Sequence, residues 1–286
     1  MIHAGKFVIK AREGEPITIK GLGDIHHLLK DSDEERFIND LRDRATEKTY
    51  FIDLGDNLDS IGPSHKYFSL GRVKPRFLDG SNGTEIDPIL NNEVKDLASI
   101  ISTHTSPSEW IGHVSGNHPL MILGTGVDMC QILCYELKHR YLGYQAYVPI
   151  EIVTNGKYHS LMLFVCHGFG GAGARWEGSG LNAYIQHSSR YEEWDIAFYG
   201  HRHDKWVKPL ARIRPHTDSK GNRWIKEDVK LICQTGTYLR TLSDSMYPSY
   251  SEKKGMGPRP LGCVSIQFKV QREKGVGPLT LKYLNI

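Results

Sequence analysis

The chain has 286 residues, 36 Lys and Arg against 33 Asp and Glu, a formal charge of +3, and 39% apolar content. These figures exclude a disordered chain and a strongly basic polyanion binder, and the length suits one large domain or two small ones. No apolar run approaches the roughly 18–20 residues of a membrane span, the N-terminus shows no signal core, and five cysteines without a CxxC pair exclude a disulfide framework, so a cytoplasmic setting is expected.

In chain order, ITIKGLG (17–23) is predicted as a strand, and residues 33–47 as a helix capped by Asp31 or Ser32. TYFIDLG (49–55) follows as a buried strand. Residues 60–85, rich in Gly, Pro, Ser and Lys, are predicted as an inserted loop. A helix runs from about Pro88 to Thr103 with Asp87 as its cap, then a strand in EWIGHVSG (109–116) and a helix over 126–140. YQAYVPIEIV and YHSLMLFVC flank Asn155-Gly156, which predicts a hairpin. Residues 168–180 are glycine-dense, 181–190 form a short helix, and WDIAFYG (194–200) is a strand. Beyond it, KWVKPLARIR, VKLICQTGTYL, GCVSIQFKV and LTLKYL are β-rich, interrupted by a polar insertion at 243–260. The expectation is an α/β protein with two sheets in a single domain over residues 1–286.

The chain carries 14 histidines, and some fall in a pattern. ITIKGLG is followed by Asp24-Ile25-His26, TYFIDLG by Asp56-Asn57, and EWIGHVSG by Asn117-His118. LMLFVC is followed by His167, and WDIAFYG by His201 and His203. Sites in α/β sheets form outside the carboxyl ends of strands, so these side chains can converge. Imidazole and carboxylate without thiolate is a donor set for divalent metals. A spacing of two, as in Asp24-x-His26 and His201-x-His203, puts both side chains on one side of an extended backbone. One metal could take both members of a pair, or two neighbouring metals one each.

The blocks GDIHH (23–27), GDNLD (55–59), GNH (116–118), CHG (166–168) and GHRH (200–203) resemble the calcineurin-like metallophosphoesterase superfamily, in the family's order. The resemblance spans residues 17 to about 240, and QTGTYLR (234–240) is similar to the segment that closes family members after GHxH. It implies a four-layer α-β-β-α sandwich with two mixed β-sheets. It implies two divalent ions per chain, manganese first, with zinc, iron, nickel, cobalt or magnesium also suited. Asp24, His26 and His203 would bind one ion, Asn117, His167 and His201 the other, and Asp56 would bridge both. His118 would be the proton donor or transition-state stabiliser. The physics agrees: two cations roughly 3.5–4 Å apart clamp attacking and leaving oxygens, need a shared anion, and turn a bridging water into hydroxide near neutral pH. Glycines before Asp24, Asp56, Asn117 and His201 would let the backbone turn tightly.

Two departures from the family pattern stand out. Pro119 follows Asn117-His118 where many members carry an acid, so Asp59 or Asp128 would have to orient His118. Ser60 stands where the protein-phosphatase branch has a phosphate-gripping Arg. Arg175 in the glycine-dense stretch, and Lys253 and Lys254 in the basic and aromatic segment 245–260, are candidate substrate contacts. His27 should point away from His26, and the remaining histidines, His113 and His139 among them, carry no motif.

Together these features predict a binuclear metal-dependent phosphodiesterase acting on nucleic acid or a nucleotide. The alternatives are a small-molecule or protein phosphomonoesterase, or a non-catalytic binding protein on the same fold. No membrane partner is expected.

Overall fold

The computed structural model describes residues 2–59, 73–74, 76, 86–119, 128–170, 179–191, 193–217, 221–243, 248–272 and 279–285. Most of the insertion predicted at 60–85 lies outside these residues. Among them no helix is long and apolar enough to cross a membrane.

Strands and helices run in the order β1 (Ile2–His3), β2 (Phe7–Lys10), β3 (Pro16–Leu22), α1 (Glu34–Arg42), β4 (Lys48–Asp53), α2 (Ile86–His104), β5 (Trp110–His113) and α3 (Met129–Leu137). They continue with β6 (Gln145–Thr154), β7 (Lys157–Cys166), α4 (Ser179–Ser188), β8 (Ile196–Tyr199), β9 (Trp206–Thr217), β10 (Arg223–Gln234), α5 (Tyr250–Lys254), β11 (Val264–Arg272) and β12 (Leu279–Asn285).

These strands form two mixed sheets. One has seven strands, in the order β1-β6-β7-β8-β10-β9 with β2 also on β6, and the other five, in the order β12-β11-β3-β4-β5. Strands β3, β4 and β5 are mutually parallel, as are β7, β8 and β10. Their carboxyl ends therefore emerge together within each sheet, which is the topology that gathers a site.

Strict alternation drives the packing. Along β6, Ala146, Val148, Ile150 and Ile152 are fully buried while their neighbours are half-buried. They join Ile17, Ile19 and Ile52 of one sheet and Leu163, Ile196 and Leu231 of the other in one apolar cluster. A second cluster packs Phe37, Leu97 and Leu133 of α1, α2 and α3 with Phe51 and Trp110. A third packs Tyr184 of α4 with Phe164, Ala197 and Ile232. The Asn155-Gly156 hairpin forms as predicted, both residues adopting positive φ of 52° and 73°, as a two-residue primed turn demands.

Helix starts differ from the prediction. Asp33 caps α1, accepting from Arg36 N at 3.1 Å, because the Ser32 hydroxyl instead donates to Ile25 O at 2.7 Å. Helix α2 begins at Ile86, so Asp87 lies inside its first turn. The predicted insertion at 243–260 contains α5, closed at its start by the Ser249–Glu252 capping box.

Candidate metal centre

The loops leaving β3 and β4 run as a hydrogen-bonded pair. Asp24 N donates to Gly55 O at 2.8 Å, His26 N to Asp56 O at 2.9 Å, and His27 N to Asn57 O at 2.9 Å. Two bonds then stitch this pair to the other sheet. His201 N donates to Asp24 Oδ2 at 2.9 Å, and His167 Nδ1 donates to Leu54 O at 2.7 Å.

Backbone strain concentrates here. Among the described residues eight non-glycine residues have positive φ, and five of them are Asp24, His26, Asp56, His201 and His203. Each such conformation costs on the order of 1–3 kcal/mol and persists only where the surroundings over-determine it. The glycines serve differently from the expectation. Of Gly23, Gly55, Gly116 and Gly200 only Gly55 has positive φ, while Asp24, Asp56 and His201, each following a glycine, adopt it themselves. What Gly116 supplies is space, since a Cβ there would lie 1.8 Å from Asp56 Oδ1.

The side chains fall into three linked groups whose ligand atoms lie within 4.8 Å of one another: Asp24, His26 and His203; Asp56, His167 and His201; and His26, Asp56 and His118. His26 and Asp56 are thus common to neighbouring groups. Asn117 joins the second through Oδ1, 3.1 Å from His167 Nε2. The fold therefore brings all eight residues of the five sequence blocks to one place.

Tautomers point the free nitrogens inward. His167 Nδ1 is committed to Leu54 O, which leaves Nε2 facing Asp56 Oδ2 at 3.2 Å and His201 Nδ1 at 3.2 Å. His201 Nε2 is committed to Gly170 O, leaving its Nδ1 on the same space. Acceptor atoms thus converge, an arrangement that requires a cation or extra protons between them.

Buried atoms without hydrogen-bond partners give the fit test for a metal. Among the described residues Asp24 Oδ1 and both ring nitrogens of His26 are buried without a hydrogen bond, Asp24 Oδ1 lying 3.3 Å from His203 Nε2 and His26 Nδ1 3.8 Å from Asp59 Oδ2, and such atoms are costly unless they bind something. Burial lowers the His26 pKa to about 4, with His118 adding to it, so its imidazole is neutral and ligand-ready. Burial pushes the two carboxyls upward, but the imidazoles of His203 and His167 at Asp24, and of His167 and His118 at Asp56, hold both below the usual range. At His167 burial pulls the pKa down, but Asp56 outweighs that and raises it to about 9, so this imidazole would give up a proton on taking a cation, and the donor set itself fits divalent cations.

His118 stands beside this cluster, half-buried, its backbone N–H donating to Asp56 Oδ1 at 2.9 Å. Its Nδ1 bonds Asp59 Oδ1, and its Nε2 lies 3.9 Å from Asp56 Oδ2. Burial pulls its pKa down, but Asp59 and Asp56 outweigh that and raise it to about 9. Of the two acids considered from sequence, Asp59 is the partner. Asp128 instead accepts from Cys130 N and Tyr141 Oη.

Several further residues brace the site. Glu93 of α2, fully buried, accepts from Leu28 N at 3.1 Å and Asp59 N at 2.8 Å, fastening both ligand loops to one helix. Thr237 Oγ1 and Tyr238 N both donate to Asp24 O, which gives the 234–240 segment its place against the site. Tyr144 Oη donates to Gly168 O at 2.9 Å beside His167. Glu93 stands among Asn91, Asn92, Lys95 and Asp96, so nothing in the local sequence marks it out.

His27 turns away from the cluster, its Nε2 2.7 Å from Asp96 Oδ2, and the Glu34–Asp96 carboxylates beside it are already paired with Lys74 and Arg76. Arg175 lies outside the described residues. Lys253 is exposed on α5 and, among the described residues, makes no hydrogen bond or ion pair to the cluster; the Lys254 side chain is not described. The same segment approaches the site through Arg259, which ion-pairs with buried Asp204, next to His203.

No protein-family model matches the chain, and no curated protein matches it. Solved structures similar to it include Vacuolar Protein Sorting 29 from Cryptosporidium parvum, at 14% identity over 95% of this chain and 100% of that one, with a TM-score of 0.37. A conserved protein described as a predicted phosphoesterase, from Streptococcus pneumoniae TIGR4, is 11% identical over 94% and 98%, with a TM-score of 0.31. GAP50, the anchor in the inner membrane complex of Plasmodium, is 12% identical over 95% and 89%, with a TM-score of 0.42.

Proposed function

We propose that the chain is a calcineurin-like metallophosphoesterase that hydrolyses phosphodiester bonds with two divalent cations. The observation that carries this reading is the convergence of Asp24, His26, Asp56, His167, His201 and His203, five of them in strained backbone conformations, on a space lined by acceptor atoms. Asp24, His26 and His203 would hold one cation, Asn117, His167 and His201 the other, and Asp56 would be shared. When bound, the cations would supply Lewis acidity to the phosphoester and to water, the step for which this donor set is suited.

The chain's own residues then have definite tasks. Leu54 O and Gly170 O hold His167 and His201 in the tautomers that face the site. Asp59 holds the His118 Nδ1–H, which keeps Nε2 turned toward Asp56. A proton on Nε2 is then placed to pass to the departing alkoxide oxygen, and the buried Asp59 carboxylate favours its retention there. Arg259, anchored on Asp204, ties the basic and aromatic segment 245–260 to the loop carrying His203. This arrangement, with Ser60 in place of a phosphatase-type Arg, favours a diester, nucleotide or nucleic acid, over a monoester.

The test is an activity profile of the Mn²⁺-loaded chain on alkyl and aryl diesters, monoesters, cyclic nucleotides, and single- and double-stranded DNA and RNA. Turnover of diesters is expected. Turnover of monoesters alone would overturn the diester assignment, and no turnover with full metal binding would favour a binding protein.

A further inference from the structure

Asp53 ends β4 with its carboxylate buried, three residues before Asp56. Its Oδ1 accepts the Gly55 N–H at 2.7 Å. Its Oδ2 accepts from Asn57 Nδ2 and from His113 Nδ1, the latter at 2.8 Å. The turn carrying Asp56 is thus wrapped around one carboxylate, which grips the residues immediately before and after it.

His113, at the end of β5, is fully buried, and its Nε2 lies 2.7 Å from His139 Nδ1. The Trp110 indole stacks on both imidazoles, at 4.6 Å and 14° on His113 and 5.3 Å and 26° on His139. Ring orientation is therefore fixed by stacking as well as by hydrogen bonding. A buried carboxylate is costly unless its oxygens are saturated with donors. Asp53 takes two donors from the turn it organises, and His113 supplies the one that comes from outside. His139, half-buried after α3, holds His113 from behind.

We infer that Asp53, held by the His113–His139 pair, is the positioning unit of the metal centre: it fixes the Gly55–Asn57 turn and thereby the direction of the Asp56 carboxylate. The inference rests on the metal-binding reading above. None of the three residues belongs to the five sequence blocks, and none touches the cations' donor atoms. Partners of this kind, one step behind the ligands, typically govern about 10–100-fold in metal affinity.

The experiment is Mn²⁺ titration by calorimetry of the full chain, with the melting temperature of each variant recorded without added metal. H113F removes the donor to Asp53 at similar ring volume, and H113N keeps an N–H where Nδ1–H stood. H113F is expected to weaken Mn²⁺ binding about 10–100-fold, with H113N close to the original. Unchanged Mn²⁺ affinity in H113F, or equal losses in H113F and H113N, would overturn the inference and leave a merely structural role. If H113F does not fold, D53N decides: weakened binding supports the inference and unchanged binding overturns it. Absence of Mn²⁺ binding by the original chain overturns the metal reading and this inference with it, whereas strong binding with an indifferent H113F overturns this inference alone.

Discussion

Asp59 Oδ1 accepts the Nδ1–H of His118 from a fully buried position, across the gap between the loops that follow β4 and β5. Pro119 denies His118 an acid from its own loop, and the neighbouring loop supplies one. The pairing sets both the direction of the His118 ring and its hold on a proton.

From this follows a leaving-group prediction. H118A should reduce kcat on alkyl diesters by about 10²–10⁴, the usual worth of a general acid, and on nitrophenyl diesters far less. D59N should act in the same direction with a smaller loss. The measurement is kcat across a series of leaving-group pKa values. Equal losses along the series would contradict a proton-donor role.

A second prediction concerns Gly116. A Cβ there collides with Asp56 Oδ1, Asp56 N and Asp56 Cγ, at 1.8, 2.3 and 2.6 Å. G116A should therefore displace the Asp56 carboxylate and lose both stability and Mn²⁺ affinity. Gly5 has nothing within 4 Å of its virtual Cβ and no positive φ, so G5A serves as the neutral control. Melting curves with and without Mn²⁺ read both effects, and a G116A shift on metal equal to that of G5A would contradict the packing argument.

Metal should also stabilise the fold. A cation that binds only the folded chain adds about 2.7 kcal/mol at a hundredfold excess over Kd. For a chain of this size that corresponds to a melting shift on the order of 5–10 °C. The shift should appear with Mn²⁺ and vanish with EDTA in a thermal melt.

Glu93, which braces the two ligand loops, gives a pH prediction. Burial pushes its carboxyl up to about 8, against the pull of the Asp59 and Leu28 backbone N–H groups. The folded chain therefore binds this proton more tightly than the unfolded chain, whose Glu has the ordinary value of 4.5. The sign follows from linkage: the stabilisation is complete below about pH 4.5 and is lost as pH rises toward 8. E93Q, which mimics the protonated acid, should flatten the decline of unfolding free energy over that window in urea titrations. A parallel decline in both proteins would contradict the assignment.

The sequence made some of this legible and concealed the rest for identifiable reasons. Asp24, Asp56 and His201 stood out because polar residues at the ends of apolar strands break a local pattern. The Asn155-Gly156 hairpin was readable because its turn chemistry lies in two adjacent residues. Strands β1 and β2 escaped because their ladders form with β6, about 140 residues away, as in Ile2 opposite Ala146. Ser32 looked like a helix cap, but its hydroxyl has a tertiary partner in Ile25 O. Asp53 and His113 carry no motif, and only their pairing across β4 and β5 shows them to be one unit. The choice between Asp59 and Asp128 was spatial and required the fold.

The most direct test is the number of Mn²⁺ ions bound per chain, measured by calorimetric titration with elemental analysis of the purified complex. We predict two per chain, and a large loss of both in D56N with the melting behaviour of the folded protein retained. One ion or none in the original chain after reconstitution, or full binding by D56N, would contradict the shared, two-cation centre.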